Sequence, residues 1–478
     1  VSAGLATAPP PRARLTLDET WRGLRLSIVE GVLFALMVGL AETYLVADAV
    51  RLGASTLMLG VVVSVPLFVG SFGPLLCLRL LTWVRRRKPL VAASNVLQGA
   101  LWWLLAANDH AGTSSPTLLV VAFTAHHFLG QFAGTAWTSW FGDLVPSGVR
   151  GSFVARRNRA IYGTIALGIL AGGLVLEWAG ARADADAGLG FAIVFAIAGT
   201  CRIGCAFVVA RMPEPRFPGL AGAPRVKRFL RTDRGRRAWR LVALVFAIQL
   251  SVYLSGPYYV PFMLDELAFD YSQFTAASLI VFAVKVLVLP RIGRAIDGAG
   301  PRTTFRTTLV LLALVPLPWV FADGFGVILV AQAFSGLAWG GYEVSLFGLL
   351  IASSYRDTRP HLVAVQQIAN GTGQLLGGLA GAGIAELAAG DLRTVFAISC
   401  AARLAVAFVA PLALPVGRGE VLRIPRRLVL RVSGARPGGG IGLRPMVPAL
   451  PEEMVPEAAD ELDAPVDARA DARADPER

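Results

Sequence analysis

Charge is scarce in this chain. Only 16% of its 478 residues are Asp, Glu, Lys or Arg, and they cluster between apolar runs. A soluble domain needs a polar shell, because the apolar surface it can bury is bounded by its size. With 55% hydrophobic residues, a soluble enzyme is excluded. Cysteine is rare too: Cys77, Cys201, Cys205 and Cys400 lie in or beside apolar runs, with neither a disulfide framework nor zinc spacing. The i, i+4 pair Cys201 and Cys205 reads as small core residues, so no metal is expected. Lysine is nearly absent (Lys88, Lys227, Lys285), and arginine carries a net charge of +13. In a membrane protein such charge belongs to cytoplasmic loops and anionic lipid rather than to nucleic acid. No P-loop, HExxH, GxSxG or facing carboxylate pair occurs, so neither ATP drive, catalysis nor a cofactor is expected. A cleavable signal peptide is not expected either, since the first apolar run, near Ser27 to Val46, exceeds an h-region.

What the chain has in abundance is apolar runs of spanning length, about 20 residues each. They fall near 26–48, 55–80, 89–107, 116–142, 160–179, 188–210, 240–264, 272–292, 304–322, 325–353, 362–386 and 394–415. Runs this long must satisfy their backbone internally, which makes them helices. Arginines gather on one side, at Arg12 to Arg25, Arg85 to Lys88, Arg150 to Arg159, Arg211 to Arg240, Arg291 to Arg306, Arg356 and Arg359, and Arg418 to Arg436. The other side carries Asp48, Asp109, Glu177, Asp265, Asp323 and Asp391. The positive-inside bias puts both termini in the cytoplasm of a cell whose inner membrane holds the protein. The expected organisation is a cytoplasmic segment 1–25, a six-helix half 26–210, a basic loop 211–239, a second half 240–416 and a tail 417–478. The tail turns Pro- and acid-rich and ends in low-complexity sequence, so it is expected to be disordered.

The halves repeat. Phe195-Ala-Ile-Ala with Arg202 and Phe207 in the sixth run answers Phe396-Ala-Ile-Ser with Arg403 and Phe408 in the twelfth. Phe132-Ala-Gly-Thr-Ala-Trp137 answers Phe334-Ser-Gly-Leu-Ala-Trp339, and Gly168, Gly172 and Gly173 answer Gly373, Gly377 and Gly378. Six-helix halves in parallel repeat, with a site near the midplane between them, form a transporter architecture.

After the eighth run stands Gly293-Arg-Ala-Ile-Asp297-Gly-Ala-Gly300-Pro-Arg302. This resembles the cytoplasmic-loop signature of the major facilitator superfamily, with Gly298 where the family usually has a base. The loop Arg79 to Lys88 keeps the charge of its counterpart but loses Gly and Asp, with Trp83 near the Asp position. The resemblance covers residues 24–416 and implies an all-α membrane fold of about twelve helices in two pseudo-symmetric halves. It also implies alternating access, and a usually monomeric state. The glycines are expected to turn the chain tightly, and Gly293, Asp297, Gly300 and Arg302 to form a cytoplasmic gate, with Asp143, Arg150, Arg156 and Arg157 as partners.

By the same resemblance the first, fourth, seventh and tenth helices line the cavity. Candidate lining groups are Gln131, Trp137, Gln249, Tyr253, Tyr258, Gln332, Trp339 and Tyr342. A charged group at bilayer centre costs about 2.5–3.5 kcal/mol on insertion scales, so each one is a functional candidate. Glu42, Glu343 and His127 are the candidates for proton coupling, with an ion pair between Glu343 and Lys285 as the competing reading. Arg202, Lys285 and Arg403 are expected in structural ion pairs, the two arginines on helices that support the bundle from outside. Gly256-Pro257 beside Tyr258 marks a break in the seventh helix. Gly168-xxx-Gly172-Gly173 resembles part of the family's antiporter motif, without its proline. The expected function is secondary transport of a small solute, coupled to H⁺ and leaning to export. A non-transporting sensor or scaffold and a lipid-handling membrane enzyme are the alternatives.

Overall fold

The computed structural model describes residues 15–145, 150–181, 188–215, 217, 231, 233–352, 359–413, 429–435 and 441–446, with side chains omitted at some positions of the arginine-rich side. Twelve helical spans follow one another: α1 (Leu17–Arg51), α2 (Thr56–Val84), α3 (Lys88–His110), α4 (Pro116–Leu144), α5 (Arg150–Gly180), α6 (Gly188–Arg211), α7 (Ala238–Glu266), α8 (Tyr271–Leu289), α9 (Arg302–Val320), α10 (Phe325–Ala352), α11 (Arg359–Leu387) and α12 (Leu392–Ala413). Ten are long and apolar enough to cross a membrane. The exceptions, α4 and α11, are 29-residue helices that bury polar side chains, His126, His127 and Gln131 on one and Gln366 and Gln374 on the other. Beyond them, Val429–Ala435 (β1) and Ile441–Met446 (β2) pair as an antiparallel hairpin. The rest of the tail expected to be disordered lies outside the described residues.

Each half opens with a broken helix. In α1 a π-turn occupies Val38–Glu42, a local form that recurs at functional sites. In α7 the break falls where Gly256-Pro257 places it, with a 3₁₀ turn at Gly256–Tyr258 and a π-turn at Phe262–Glu266. Helical backbone continues from Tyr271 through the Gly293–Arg302 segment to Leu314, and the chain reverses its direction within that stretch. Tyr271 meets Phe191 at one end of this stretch and Trp319 meets Tyr259 beyond the other, so both ends lie on the acidic side. The motif therefore sits at the arginine-rich end of α8 and α9.

Lipid-facing and core-facing residues sort by half in the same way. The repeat partners Phe207 and Phe408 are 62% and 84% exposed, so α6 and α12 turn equivalent faces outward. The repeated glycines let helices approach closely. A Cβ on Gly168 would meet the α1 backbone at Leu36 and Gly39, and one on Gly373 the α7 backbone at Phe246 and Leu250. Gly173 packs on Thr275 of α8 and Gly378 on Ser64 of α2, each across the boundary between halves. Two seams, α5 with α8 and α11 with α2, thus join the halves by one repeated device. A tyrosine hydroxyl sits at each: Tyr44 donates to Ile169 O at 2.6 Å and lies 2.7 Å from Thr275 Oγ1 across the boundary, while Tyr258 donates to Gly378 O at 2.7 Å within its own half and stands beside Gly60 of α2. These contacts lie toward the acidic side, where the halves close.

Candidate functional site

Glu42 ends the π-turn of α1, about 22 Å along the span counted from Ser27 at ~1.5 Å per residue. It is 5% exposed, and its Oε1 lies 3.4 Å from His126 Nε2 on α4. The histidine expected in this role, His127, instead places Nε2 3.2 Å from Gln131 Nε2. Neighbouring histidines on a helix point about 100° apart, so only one of the pair can face α1. Behind His126, Gln98 Nε2 donates to its carbonyl at 2.8 Å, and Gln98 Oε1 accepts from Arg202 Nε and Nη2 at 2.9 and 2.5 Å. Trp102 packs on the imidazole at 4.8 Å. The site carboxylate and its histidine are therefore braced from α3 and α6.

Arg202 and Arg403 were expected in ion pairs, and among the described residues neither meets a carboxylate. The guanidinium of Arg202 is held by the Gln98 amide and lies 5.0 Å over the Phe34 ring. Arg403 donates to Leu312 O at 3.2 Å, Val252 O at 3.0 Å and Ser255 Oγ at 2.7 Å. The reason is backbone satisfaction. Four residues beyond Leu312 stands Pro316, which has no N–H, and four beyond Val252 the helix has broken at Gly256. Arg403 supplies the donors that these two carbonyls lost, which also keeps its own charge hydrogen-bonded.

Lys285 behaves as expected, with Nζ 2.9 Å from Glu343 Oε1 across α8 and α10. Glu343 is thereby an ion-pair member before it is a proton carrier, and it lies within electrostatic range of Tyr162 on α5 of the other half. Of the lining candidates, Gln249 accepts from Gln374 Nε2 at 3.0 Å, and Trp339 stands edge-on to Tyr342 at 5.7 Å. Gln332 and Tyr253 are buried. Among the described residues, Gln131 Oε1 and Trp339 Nε1 are buried without a hydrogen-bond partner, one acceptor and one donor from opposite halves. Two candidates serve elsewhere. Tyr258 stands at the α11–α2 seam, and Trp137 stacks on Phe141 at 4.6 Å beneath the Arg157 guanidinium, also at 4.6 Å.

That arginine belongs to a cluster the sequence reading missed. Arg157 Nη2 lies 2.9 Å from Glu30 Oε2 and Nε donates to Ser27 O at 2.9 Å, both partners on α1. Both ionic side chains are 1% exposed. The available signal was Glu30 itself, a carboxylate inside the first apolar run. On the acidic side Arg51 Nη2 bridges Asp48 and Asp109 at 2.6 Å each, tying α1 to α3. On the arginine-rich side Arg87 Nη1 reaches Asp143 at 2.5 Å and its main-chain N–H donates to Glu214, which braces the loop between α2 and α3 against α4 and the end of α6. Asp143 thus pairs within its own half. Of the expected gate, Arg302 is partly buried, while the surroundings of Gly293 and Gly300 and the side chains of Asp297, Arg150 and Arg156 lie outside the described residues.

Comparison with known proteins follows the same lines. A family model described as Major Facilitator Superfamily matches residues 241–437. No curated protein matches the sequence. Solved structures share the fold at low identity. A D-xylose–proton symporter aligns at TM-score 0.64 and 15% identity, over 84% of this chain and 99% of its own. The nucleoside transporter NupG, as a mutant, aligns at 0.63 and 14%, over 82% and 100%. An auto-inhibited peptide transporter of the POT family aligns at 0.66 and 11%, over 84% and 99%.

Proposed function

We propose that the chain is a member of the major facilitator superfamily and a secondary transporter of a small polar solute, a reading supported by the family-model match over residues 241–437 and by the fold it shares with solved transporters. It works as a monomer in the inner membrane, by alternating access, with both termini cytoplasmic and without cofactor or enzymatic chemistry. Proton coupling runs through Glu42, and the direction leans to export. The observation that carries the coupling reading is the Glu42–His126 contact on the π-turn of α1. A buried carboxylate beside an imidazole holds a proton or releases it according to which side has access, and a π-turn is a place where α1 can change its winding. Glu343 is held by Lys285 and is the weaker coupling candidate. The unpartnered acceptor on Gln131 and donor on Trp339 favour a solute that offers both kinds of group.

The xylose symporter and the nucleoside and peptide transporters that share the fold supply the solute panel. Reconstituted protein with a pH-sensitive dye inside the vesicles is challenged with sugars, nucleosides, peptides and organic cations. The expected result is a solute-dependent pH change that Glu42→Gln abolishes while solute still exchanges down its gradient. Solute movement with no pH change in the native protein would sink the proton reading, and silence across the panel would favour a sensor.

A further inference from the structure

The tail beyond α12 returns into the fold. Helix α12 ends at Ala413 and β1 begins at Val429, and the strand packs against α5, α4 and the Val38–Glu42 π-turn of α1. Each of these elements belongs to the N-terminal half, whereas the principal packing of β1 leaves out α3 and α6, the helices behind them. A surface shared by α1, α4 and α5 is the inner wall of that half. The π-turn lies about two thirds of the way along α1 from the arginine-rich end, so β1 has entered the bundle. The entry is from the arginine-rich side, where α12 ends, because the seams close the acidic side. The connecting residues 414–428 extend to about 50 Å at most, ample for a depth of ~20 Å.

The hairpin is poorly built to stand alone. Two paired strands are marginal in water. Its register sets Arg431 opposite Arg444, two like charges in one cross-strand pair, with an irregularity between Val432 and Gly434. Such a hairpin needs a surface that supplies support and negative charge, and the π-turn that β1 meets ends in Glu42. From this placement we propose that β1–β2 is a tethered plug. It fills the cavity from the arginine-rich side, holds the halves closed on the acidic side, and must withdraw before solute enters. Its regulatory meaning rests on the transport reading; its occupancy does not.

The test reads occupancy without any solute. Cys77, Cys201, Cys205 and Cys400 are replaced by Ala in the full chain, Tyr162→Cys is added on α5, where the side chain faces Glu343 of the other half, and a membrane-impermeant maleimide is applied in inside-out vesicles. A second chain carries Arg431→Pro and Val432→Pro, since one of two adjacent strand residues must bond to β2. A third carries a protease site within 414–428, cut after the protein has folded. Labelling is expected to be slow in the parent and at least about tenfold faster in both altered chains, as the open population rises. A synthetic peptide of residues 425–450 added to the cut chain is expected to restore slow labelling. Equal rates in all three chains, with folding confirmed by thermal unfolding, would overturn the plug even if transport is observed.

Discussion

Removing the Arg157 guanidinium strands Glu30 inside the bundle. In Arg157→Met the stem volume is kept, but the 2.9 Å ionic contact and the bond to Ser27 O are lost, with both ionic side chains 1% exposed. Breaking a buried pair from one side costs about 3–5 kcal/mol, because the remaining charge has no compensation. The lost stacking on Trp137, 4.6 Å away, adds roughly 0.5–2 kcal/mol. At ~2.1 cal/mol/K of unfolding entropy per residue, 478 residues give about 1 kcal/mol/K, so the expected fall in Tm is roughly 3–7 °C. Adding Glu30→Leu removes the stranded charge and is expected to recover at least about 2 kcal/mol, since an apolar pair of like volume often matches a buried ion pair. Arg157→Lys is expected to fall between, because an ammonium cannot reach Glu30 and Ser27 O in one fork geometry. The assay is tryptophan-monitored thermal unfolding in lipid nanodiscs. A double variant no more stable than Arg157→Met would refute the reasoning, since it would show that the stranded carboxylate was not the source of the loss.

Two further outcomes follow from other contacts. Gly378→Ala places a Cβ against Ser64 Oγ across the boundary between halves. It is expected to open the acidic side, read as faster outside labelling of a single cysteine replacing buried Val63, whereas Gly383→Ala, which meets no neighbour among the described residues, is expected to leave that rate unchanged. Asp391 is held below its ordinary value of 3.8, chiefly by the hydrogen bond from the Thr394 hydroxyl at the start of α12. A depressed carboxyl stabilises the fold above its unfolded pKa and loses that contribution as pH falls through the lower folded one. Asp391→Asn is therefore expected to lower Tm slightly at pH 7 and to converge on the parent well below pH 3.8, and an offset independent of pH would contradict the assignment.

The fold was legible in the sequence because spanning length and the positive-inside bias are properties of single segments. The repeat was legible because Arg202 with Arg403 and the glycine triplets recur at nearly the same spacing, 201 and 205 residues. What escaped were pairings between distant segments. Glu30 and Arg157 are both visible as charges at the edge of apolar runs, yet nothing local says that α5 brings one to the other. The choice between His126 and His127 depends on the rotation of α4, which two adjacent histidines on one helix do not declare. Arg202 and Arg403 were assigned carboxylate partners because charge invites charge. In fact Arg403 answers Pro316 and the Gly256 break, a backbone debt that is readable only once α7, α9 and α12 are known to meet.

The doubled glycine seam gives the two halves a pair of matched bearings. Because α5 rests on α8 as α11 rests on α2, with tyrosine hydroxyls at both, rotation of one half over the other meets similar resistance left and right. Motion is then a rocking about a line through both bearings rather than a swing from one edge. Damage to a single bearing would convert the rocker into a door, ajar on one flank, and the chain would leak before it failed to move.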